Sequence, residues 1–477
     1  MADLPVDPPL TPVPHLTTDE FRHYGYELVD WLAAYFDSLE DRPVTPTVGP
    51  GEIRSRLPAG PPRQGEPFEA IIADLDAIIM PGVTHWQSPR WFGYFPANSS
   101  PASVLGELVA AGLGVQGMLW STSPAATELE TVVMDWLVDL LALPGAWKTT
   151  GPGGGVIQMS ASDSTHLALV VARHQARQRA STDDMVAYAS REAHSSIEKG
   201  ARIAGFRHLR LIDVDTEFAM DPRQLEGAVA ADIAAGRLPV VVTSTVGTTG
   251  TTAVDPVRAV GSIARNYGLW HHVDAAYAGS AMICPEFRHH QDGLDLVDSY
   301  TFNPHKWMLT NFDCSAFYVA DRTPLIEATS VLPPYLRDSA SATGEVIDYR
   351  DWHVPLGRRF RSLKLWFVLR SYGVEGLQAH IRNSVGLASW LTDRVMADRR
   401  FQMVAPTRFG LVGFRHAGGD GPTDRLADAI NASGEAFLTP STIDGQRFIR
   451  VAIGQHRTDE GHVRALWEQI DDLAEQL

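Results

Sequence analysis

The chain has 477 residues and a formal net charge of −17, with 44% hydrophobic and 20% charged side chains. This length exceeds what one hydrophobic core usually supports, so we expect two or three structural units. The negative charge disfavours nucleic acids and anionic membranes as partners, because both attract cationic surfaces. No stretch approaches the ~20 consecutive apolar residues of a membrane helix. Residues 1–14 are acidic, rich in proline and without the apolar run of a signal peptide, so a cytoplasmic location is expected.

The basic side chains are almost all arginines. Only four lysines occur, at positions 148, 199, 306 and 364. Because arginine cannot provide the neutral amine that attacks a carbonyl, a lysine in a motif-like setting invites a chemical explanation. The two cysteines, Cys284 and Cys314, form no CxxC pair. Their number and spacing disfavour metal binding, redox chemistry and a disulfide framework, and indicate reduced structural thiols.

Three segments with different patterns follow one another along the chain. Residues 1–100 are expected to form helical arms and proline-rich connectors with little core of their own. Residues 101–363 alternate short β-rich runs with helical stretches, which predicts an α/β domain whose mainly parallel sheet is covered by helices on both faces. Residues 364–477 predict a small α+β domain. The runs predicted as strands are 155–158, 185–189, 238–245, 269–273, 299–302, 410–414 and 448–452.

Two of these strands lead directly into polar residues. The strand 269–273 is followed by Asp274, and the strand 299–302 leads to Asn303-Pro304-His305-Lys306-Trp307. Asp274 could cap a helix, or it could be a buried carboxylate beside a protonated ring nitrogen. Lys306 alone would be interpreted as a surface lysine. After the aspartate strand, it becomes a candidate for an imine to a carbonyl cofactor, which requires a lowered amine pKa.

Other candidates follow the remaining strands. The turn Ser160-Ala161-Ser162-Asp163 at a helix start offers free amides and hydroxyls to a phosphate, although Ser160 with Asp163 also matches an ordinary capping box. The segment fits neither the G-x-G-x-x-G nor the P-loop pattern, so nucleotide binding is unsupported. His194 and Thr248-Thr249 each follow a strand, and each could line the same pocket or be structural.

Four motifs carry a resemblance to a known family. They are HVDAAYAGS at 272–280, NPHKW at 303–307, SPAATELE at 123–130 and PLGRRFRSLK at 355–364. With these motifs the chain resembles the group II pyridoxal-phosphate (PLP) decarboxylases of fold type I, the aspartate-aminotransferase-like fold. Specifically, it is similar to the aromatic L-amino-acid decarboxylases, from Tyr24 to about Ile470.

The resemblance implies a role for each candidate residue. Lys306 would carry PLP as a Schiff base, Asp274 would pair with the pyridine nitrogen, and His194 would stack on the ring. Thr249 matches another family residue near the cofactor. Tyr335 matches the tyrosine of a mobile loop that reaches the neighbouring subunit's site, so a homodimer with shared active sites is implied. The residues implied around the phosphate are Ala161, Ser162, Ser299, Asn303 and His305.

The implied reaction is decarboxylation of an aromatic L-amino acid to an arylalkylamine and carbon dioxide, with Tyr335 and His194 as the groups that protonate Cα. Candidate substrates are tryptophan, 5-hydroxytryptophan, dopa, tyrosine and phenylalanine. Ala97 stands where catechol-preferring members carry a hydroxyl residue, and Gly357 matches members that accept indoles. Arg450 could contact the substrate carboxylate. The residues expected to select the substrate are Trp86, Tyr94, Phe95, Pro96, Ala97 and Gly357.

Alternatives remain open at this level. An aromatic aldehyde synthase uses the same fold and cofactor, but that branch replaces the loop tyrosine or the stacking histidine, whereas Tyr335 and His194 are both present. A protein that kept the fold without PLP would be a scaffold or a regulator. The pair Arg358-Arg359 could bind a polyanion, but one short basic patch in an acidic chain favours intramolecular ion pairs.

Overall fold

The structure is a computed structural model and describes residues 15–331 and 346–476. The chain divides into two compact units, one ending at His85 and the other beginning at Trp86. Across the described ranges, no helix is long and apolar enough to cross a membrane. The division into three segments after residues 100 and 363 stays a prediction.

Within residues 15–85, the first unit contains three α-helices, α1 (Thr18–Asp37), α2 (Glu52–Arg56) and α3 (Phe68–Asp74). A π-helical turn over Leu75–Ile79 and a 3₁₀ turn over Met80–Gly82 follow α3. Helix α1 begins at a capping box, in which Thr17 Oγ1 accepts the Glu20 amide and Glu20 Oε2 accepts the Thr17 amide. No residue of α1 is buried. Its Tyr24 hydroxyl donates to Glu69 Oε1 of α3 at 2.6 Å.

A seven-stranded sheet forms the centre of the second unit. Its strands are β1 (Gly154–Gln158), β2 (Met185–Ser190), β3 (His208–Ile212), β4 (Leu238–Thr245), β5 (Trp270–Asp274), β6 (Ser299–Phe302) and β7 (Ser315–Val319). Their spatial order is β1-β7-β6-β5-β4-β2-β3. Strands β3, β2, β4, β5 and β6 are mutually parallel, and β7 runs antiparallel to both β6 and β1. The predicted mainly parallel sheet is confirmed.

Helices cover both faces of this sheet. The helices of this part of the chain are α4 (Pro101–Leu113), α5 (Pro124–Leu140), α6 (Ala161–Arg179), α7 (Ser196–Ala204), α8 (Pro222–Ala234), α9 (Val257–Tyr267), α10 (Pro304–Trp307), α11 (Thr323–Thr329) and α12 (Arg361–Ala397). In β2, Val186 and Tyr188 pack with α8 and α9, whereas Met185 and Ala187 pack with α6 and α7. Alternate strand residues point to opposite faces, so the sheet is buried on both sides.

A smaller antiparallel sheet follows the long helix α12. Its strands are β8 (Phe401–Met403), β9 (Leu411–His416), β10 (Thr439–Ile443) and β11 (Gln446–Ala452), in the order β10-β11-β9-β8. Helices α13 (Asp420–Ser433) and α14 (Glu460–Ala474) pack with this sheet and with the second half of α12 in one apolar cluster. Helix α12 is kinked at Gly373, where φ is 63° and ψ is 178°.

Each of the seven runs predicted as strands is a strand in the structure, with ends that differ by at most two residues. Strands β3, β7, β8 and β10 were not predicted. In β3 only Ile212 is buried, so the strand lacks the apolar run that marks its neighbours. Strand β7 is fully buried, but nothing in its local sequence shows that it runs antiparallel.

Candidate active site

The carboxyl ends of β5 and β6 bring Asp274 and Lys306 to one edge of the large sheet. Strand β5 ends at Asp274, which pairs with Thr245 at the end of β4. Strand β6 leads to Asn303, the residue before α10, and α10 carries Lys306. Pro304 occupies the first position of α10, where its missing N–H removes no helical hydrogen bond. Parallel strands place such residues where α/β proteins bind ligands.

The amine of Lys306 lies in a partly desolvated position. Lys306 is half-buried, and its Nζ is 5.6 Å from the centroid of the Phe95 ring. Burial lowers the pKa of Lys306 below its usual value, Asp274 opposes this shift, and Arg450 adds to it. The lowered pKa increases the fraction of neutral amine, which is the form that attacks a carbonyl carbon.

Asp274 is a buried carboxylate with only 3% of its surface exposed. Its Oδ1 accepts a hydrogen bond from the amide of Ala276 at 2.9 Å, a local turn contact. The element that follows is a 3₁₀ turn over Ala278–Ile283, so Asp274 caps no α-helix. A buried negative charge is costly without a positive group nearby. Asp274 is therefore suited to face a protonated ring nitrogen.

His194 lies in the loop between β2 and α7 with a defined tautomer. Its Nδ1 accepts a hydrogen bond from the Ser196 amide at 3.1 Å, so the proton of the neutral ring is on Nε2. Partial desolvation lowers the pKa of His194, Asp274 opposes the shift and Lys306 adds to it. The neutral ring is exposed to a cavity that Thr249 also lines. It therefore presents a flat face and an Nε2–H donor at the site.

The cavity beside His194 contains a buried cation. It measures about 350 Å³ and lies between the large-sheet loops and strands β10 and β11. Arg450 of β11 lines it with 4% of its surface exposed. Within residues 15–331 and 346–476, Arg450 Nε and Nη2 have no hydrogen-bond partner, and Nη1 is 3.4 Å from the Gly93 carbonyl oxygen. Burial lowers the pKa of Arg450 to about 10. Such a guanidinium is well placed to bind a carboxylate.

The predicted phosphate turn lies at the start of α6. Ser160 caps the helix, because its side chain accepts the Asp163 amide at 3.2 Å, so the capping interpretation holds. The cap leaves Ser162 exposed at the helix N-terminus, with Ala161 buried beside it. The free amides of a helix N-terminus attract anions whether or not a cap is present.

Two further predicted phosphate residues flank Lys306. Asn303 is 2% exposed, and its Oδ1 has no partner in the described part of the chain. His305 is 3% exposed, and its Nδ1 accepts the Cys314 amide at 2.9 Å, which leaves the ring proton on Nε2. Burial lowers the pKa of His305 to about 3, so this ring is a neutral donor.

One predicted residue, Ser299, is not brought to this edge. Ser299 begins β6, four residues before Asn303, and is fully buried. Its hydroxyl accepts Trp270 Nε1 at 2.8 Å and lies 2.9 Å from His272 Nδ1. The placement of Ser299 within the sheet does not support its predicted contact with a phosphate. Tyr335 lies outside the described residues.

The aromatic side chains expected to select the substrate, Trp86, Tyr94 and Phe95, form the predicted substrate wall. Two of them are exposed and one lies in the core. Trp86 and Tyr94 are 36% and 48% exposed, and their rings are 5.7 Å apart and nearly parallel, at 11°. Phe95 is buried and stacks on Tyr277, with 3.7 Å between the ring centroids. Pro96 is buried and Ala97 is partly buried. Of the three predicted rings, only those of Trp86 and Tyr94 are exposed.

Sequence reasoning missed two side chains that support this wall. Trp91 is buried and lies 4.3 Å from the Trp86 ring centroid. Phe437, just before β10, stacks on Trp91 at 4.8 Å and 15°. Gly93 leaves the space for Phe437, since a Cβ on this glycine would lie 2.4 Å from the phenyl ring. Phe437 is remote in sequence, and no local pattern marks it.

Gly357 lines a second cavity of about 410 Å³, together with Gln116 and α4 residues. This cavity shares no lining residue with the cavity beside His194. The neighbouring arginines form internal ion pairs, Arg358 with Glu130 and Arg359 with Glu107. The intramolecular interpretation of the basic pair is confirmed.

The residues at the sheet edge fit the groups of PLP. Lys306 offers an amine for the aldehyde, Asp274 a carboxylate for the ring nitrogen, and the α6 N-terminus a set of amides for the phosphate. Thr245 Oγ1 and Asn303 Oδ1 are buried and have no partner among the described residues. Buried polar atoms without partners indicate positions where a polar ligand completes the site.

Comparisons with known proteins agree with this geometry. The chain matches the family model of the pyridoxal-dependent decarboxylase conserved domain over residues 50–417. It is 46% identical to an aromatic-L-amino-acid decarboxylase of Sus scrofa, over 97% of this chain and 98% of that protein. It is 44% identical to a phenylacetaldehyde synthase of Arabidopsis thaliana, over 97% of each.

A solved structure extends the likeness to three dimensions. The crystal structure of Oryza sativa TDC with PLP and tryptamine aligns with a TM-score of 0.96 and 41% identity, over 98% of this chain and 99% of that one. The fold-type prediction is therefore confirmed over nearly the whole chain.

Proposed function

Because the chain belongs to the pyridoxal-dependent decarboxylase family, we propose that it is a carboxy-lyase that acts on aromatic L-amino acids. Its cofactor is pyridoxal 5′-phosphate. The bond between Cα and the carboxyl carbon breaks, a proton takes the carboxyl group's place at Cα, and the arylalkylamine and carbon dioxide leave. The observation that supports this proposal is that Lys306 and Asp274 share one sheet edge. Arg450, whose Nε and Nη2 have no hydrogen-bond partner in the described ranges, is close enough to lower the pKa of Lys306.

When bound, PLP supplies an aldehyde that condenses with amines and a cationic ring that accepts the electron pair released as the carboxyl group departs. Lys306 provides the neutral amine that holds this aldehyde, because burial lowers its pKa. Asp274 holds a proton at the ring nitrogen through its buried negative charge. His194 covers the site with its neutral ring and keeps its Nε2 proton available as a hydrogen-bond donor.

Arg450 is proposed to orient the substrate carboxylate. Its Nε and Nη2 atoms are buried and without partners in the described ranges, and they lie at the cavity that His194 lines. A carboxylate would supply both missing acceptors and neutralise the charge. Binding there fixes the direction of the Cα–carboxyl bond, which decides which bond of Cα breaks.

Tyr335 is proposed to deliver the proton to Cα. Its position rests on the family resemblance, and the residue lies outside the described ranges. The aldehyde synthases of the family replace this tyrosine or the histidine, and this chain keeps both. Tyr335→Phe should therefore lower amine formation and raise the share of aldehyde, ammonia and peroxide, measured by product analysis and oxygen uptake. An unchanged amine yield would remove Tyr335 from this role.

The aromatic ring of the substrate is proposed to lie against Trp86 and Tyr94. These two rings are parallel and exposed, and Trp91 and Phe437 support them from behind. Aromatic pairs of this kind add about 0.5–1.5 kcal/mol beyond the buried area. Ala97 offers no hydroxyl to a catechol, so we propose that indole and phenyl rings are preferred over dopa.

We propose a homodimer in which Gly357 of one subunit reaches the substrate pocket of the other. Helix α4 exposes an apolar row, with Leu105, Leu108 and Leu113 each 45% or more exposed. The Gly357 cavity borders the same helix. An apolar patch of this kind on a folded surface indicates a protein interface. A cytoplasmic location stays an expectation from the sequence.

The dimer can be tested by complementation. Lys306→Ala removes the amine that holds PLP. Tyr335→Phe removes the hydroxyl that is proposed to deliver the proton to Cα. If Tyr335 acts in the neighbouring subunit, mixing the two unfolded variants and refolding them together should restore about a quarter of the wild-type activity, since mixed dimers form half of the population with one intact site each. Activity equal to the sum of the separate variants, or a monomer in sedimentation, would contradict shared sites.

The main experiment incubates the holoenzyme with the five candidate amino acids and quantifies amine, aldehyde and carbon dioxide for each. One amine per carbon dioxide is expected. Aldehyde with peroxide as the major product would instead establish the aldehyde synthase. A purified protein without the visible absorbance of lysine-bound PLP, even after the cofactor is added, would support a PLP-free scaffold.

A further inference from the structure

A chain of buried side-chain hydrogen bonds crosses from the sheet to helix α6. Trp270 Nε1 donates to Ser299 Oγ at 2.8 Å, and Ser299 Oγ lies 2.9 Å from His272 Nδ1. On its other side, His272 Nε2 lies 3.3 Å from Thr165 Oγ1 in the first turns of α6. His272, Ser299 and Thr165 are fully buried. The chain thus joins β5, β6 and α6 through one imidazole.

Both ring nitrogens of His272 have a hydroxyl partner, Ser299 Oγ at Nδ1 and Thr165 Oγ1 at Nε2. Each hydroxyl can donate or accept, so either tautomer of the neutral ring can form both hydrogen bonds. Burial lowers the pKa of His272 to about 4, and the nearby Asp274 only partly opposes this shift. The ring is therefore neutral and satisfied at both nitrogens.

His272 lies between the two ends of the proposed cofactor site. On β5 it stands two residues before Asp274 and shares its sheet face, because strand side chains alternate. Thr165 lies one helical turn beyond Ala161 and Ser162 at the amino end of α6. A second link supports the same helix, since Ser164 Oγ lies 3.2 Å from Ser315 Oγ of β7. These links fix where the helix end lies relative to Asp274.

We propose that His272 is a positioning residue that holds the amino end of α6 in register with Asp274, so that the phosphate and the ring nitrogen of PLP are bound together. The inference rests on the proposed cofactor site. Ser299 then acts behind the site, by orienting His272, instead of contacting the phosphate. A satisfied buried polar network is rigid, and a ligand held at both ends is sensitive to small shifts between those ends.

The neighbouring residue His271 provides a matched control. It is also fully buried and lies next to His272 on the same strand, but its side chain points to the opposite face, where Nε2 is 2.7 Å from Ser244 Oγ. Loss of either imidazole should cost similar packing. Only the loss of His272 should alter the distance between α6 and Asp274.

The test measures PLP binding to the apoenzyme for Thr165→Val, His272→Gln and His271→Gln. Thr165→Val keeps the volume and removes only the hydroxyl, so it should fold. We expect Thr165→Val and His272→Gln to weaken PLP binding about three- to tenfold and to shift the pH at which the visible band of lysine-bound PLP changes. Thr165→Ser, which restores the hydroxyl, should bind PLP like the wild type. His271→Gln should lower the thermal midpoint without either effect.

Two results would overturn the inference. One is a Thr165→Val variant whose PLP affinity, and whose pH titration of the visible band, equal those of the wild type. The other is a loss of PLP affinity in His271→Gln as large as in His272→Gln, which would indicate a purely structural role. Failure of the proposed function is distinguishable, because the wild-type protein would then show no visible band when PLP is added.

Discussion

Arg358 and Glu130 form an ion pair inside the protein, with Nη2 and Oε1 2.6 Å apart and each side chain only 3% exposed. The same Glu130 oxygen accepts the amide of Ile157 in β1 at 2.8 Å, and Arg358 Nη2 also donates to the Ile157 carbonyl at 3.1 Å. The pair therefore attaches the segment before α12 to α5 and β1, and holds Gly357 in place.

Glu130→Gln should strongly destabilise the protein. The change leaves the charge of Arg358 buried without a counterion, which costs about 3 kcal/mol or more of the free energy of unfolding. Urea denaturation measures this change. Arg202→Ala is the control, since the Arg202–Glu198 pair is 78% and 60% exposed and should contribute little. If the urea midpoints of Glu130→Gln and the wild type were equal, the buried charge of Arg358 would not need Glu130 as its counterion.

Lys306→Ala should abolish both the visible absorbance of lysine-bound PLP and amine production, because the other three lysines are at positions 148, 199 and 364. Lys199→Ala, a change of an exposed lysine on α7, is the matched control and should leave both unchanged. The measurement is an absorbance spectrum of the purified holoenzyme together with amine quantification. A variant that kept either property would refute the assignment of Lys306.

Arg450→Met should lower activity and leave stability equal or higher. The substrate carboxylate loses a charged hydrogen-bond donor, so kcat/KM should fall about tenfold to a hundredfold. The folded protein loses a buried cation that has no hydrogen-bond partner at Nε and Nη2 within the described ranges, which removes a desolvation cost. Steady-state kinetics and a thermal midpoint test both parts.

Arg447→Met is the control for this prediction. Arg447 lies on the same strand and pairs with Asp424 at 2.8 Å, at 34% and 39% exposure. It does not line the cavity beside His194. Its removal should leave kcat/KM near the wild-type value. If both variants lose the same activity, the effect belongs to the strand and not to a contact between Arg450 and the carboxylate.

The protein should lose stability as the pH falls below about 6.5. Burial lowers the pKa of seven histidines in the described ranges to about 3 or 4, whereas in the unfolded chain they titrate near 6.5. The unfolded state then binds more protons, so the free energy of unfolding decreases as the pH falls, by up to about 1.4 kcal/mol per pH unit for each histidine. Urea denaturation between pH 7.5 and about pH 5 measures the slope, and a flat profile would contradict these shifts. The seven are His271, His272, His290, His305, His353, His380 and His456.

The local sequence was sufficient to predict candidate functional residues that directly follow the end of a strand. Asp274 and Lys306 were identifiable because each follows a recognisable apolar run, and the edge of a parallel sheet collects such residues. The predicted phosphate contact of Ser299, which the family resemblance implied, is not supported by this rule. Ser299 begins its strand, and at about 3.3 Å per residue it lies far from the carboxyl end.

The supporting residues could not be predicted in this way. Phe437 reaches Trp91 from the second sheet, and Thr165 reaches His272 from a helix more than a hundred positions earlier. No periodic pattern encodes such pairs, since they depend on how separate elements pack. That Arg450 Nε and Nη2 have no hydrogen-bond partner in the described part of the chain likewise emerges only from the surroundings of the guanidinium.

The sequence by itself determined the family and the cofactor and predicted the principal chemical residues, because these depend on side-chain identity and on spacing along one or two elements. Only the tertiary structure decided which of the candidates meet. It placed His194 and Arg450 in one cavity and brought Lys306 and Asp274 close enough to influence the pKa of His194. It kept Ser299 inside the sheet and separated Gly357 into another cavity. Desolvation and hydrogen-bond partners arise from packing between distant segments, and they set the pKa values on which the chemistry depends.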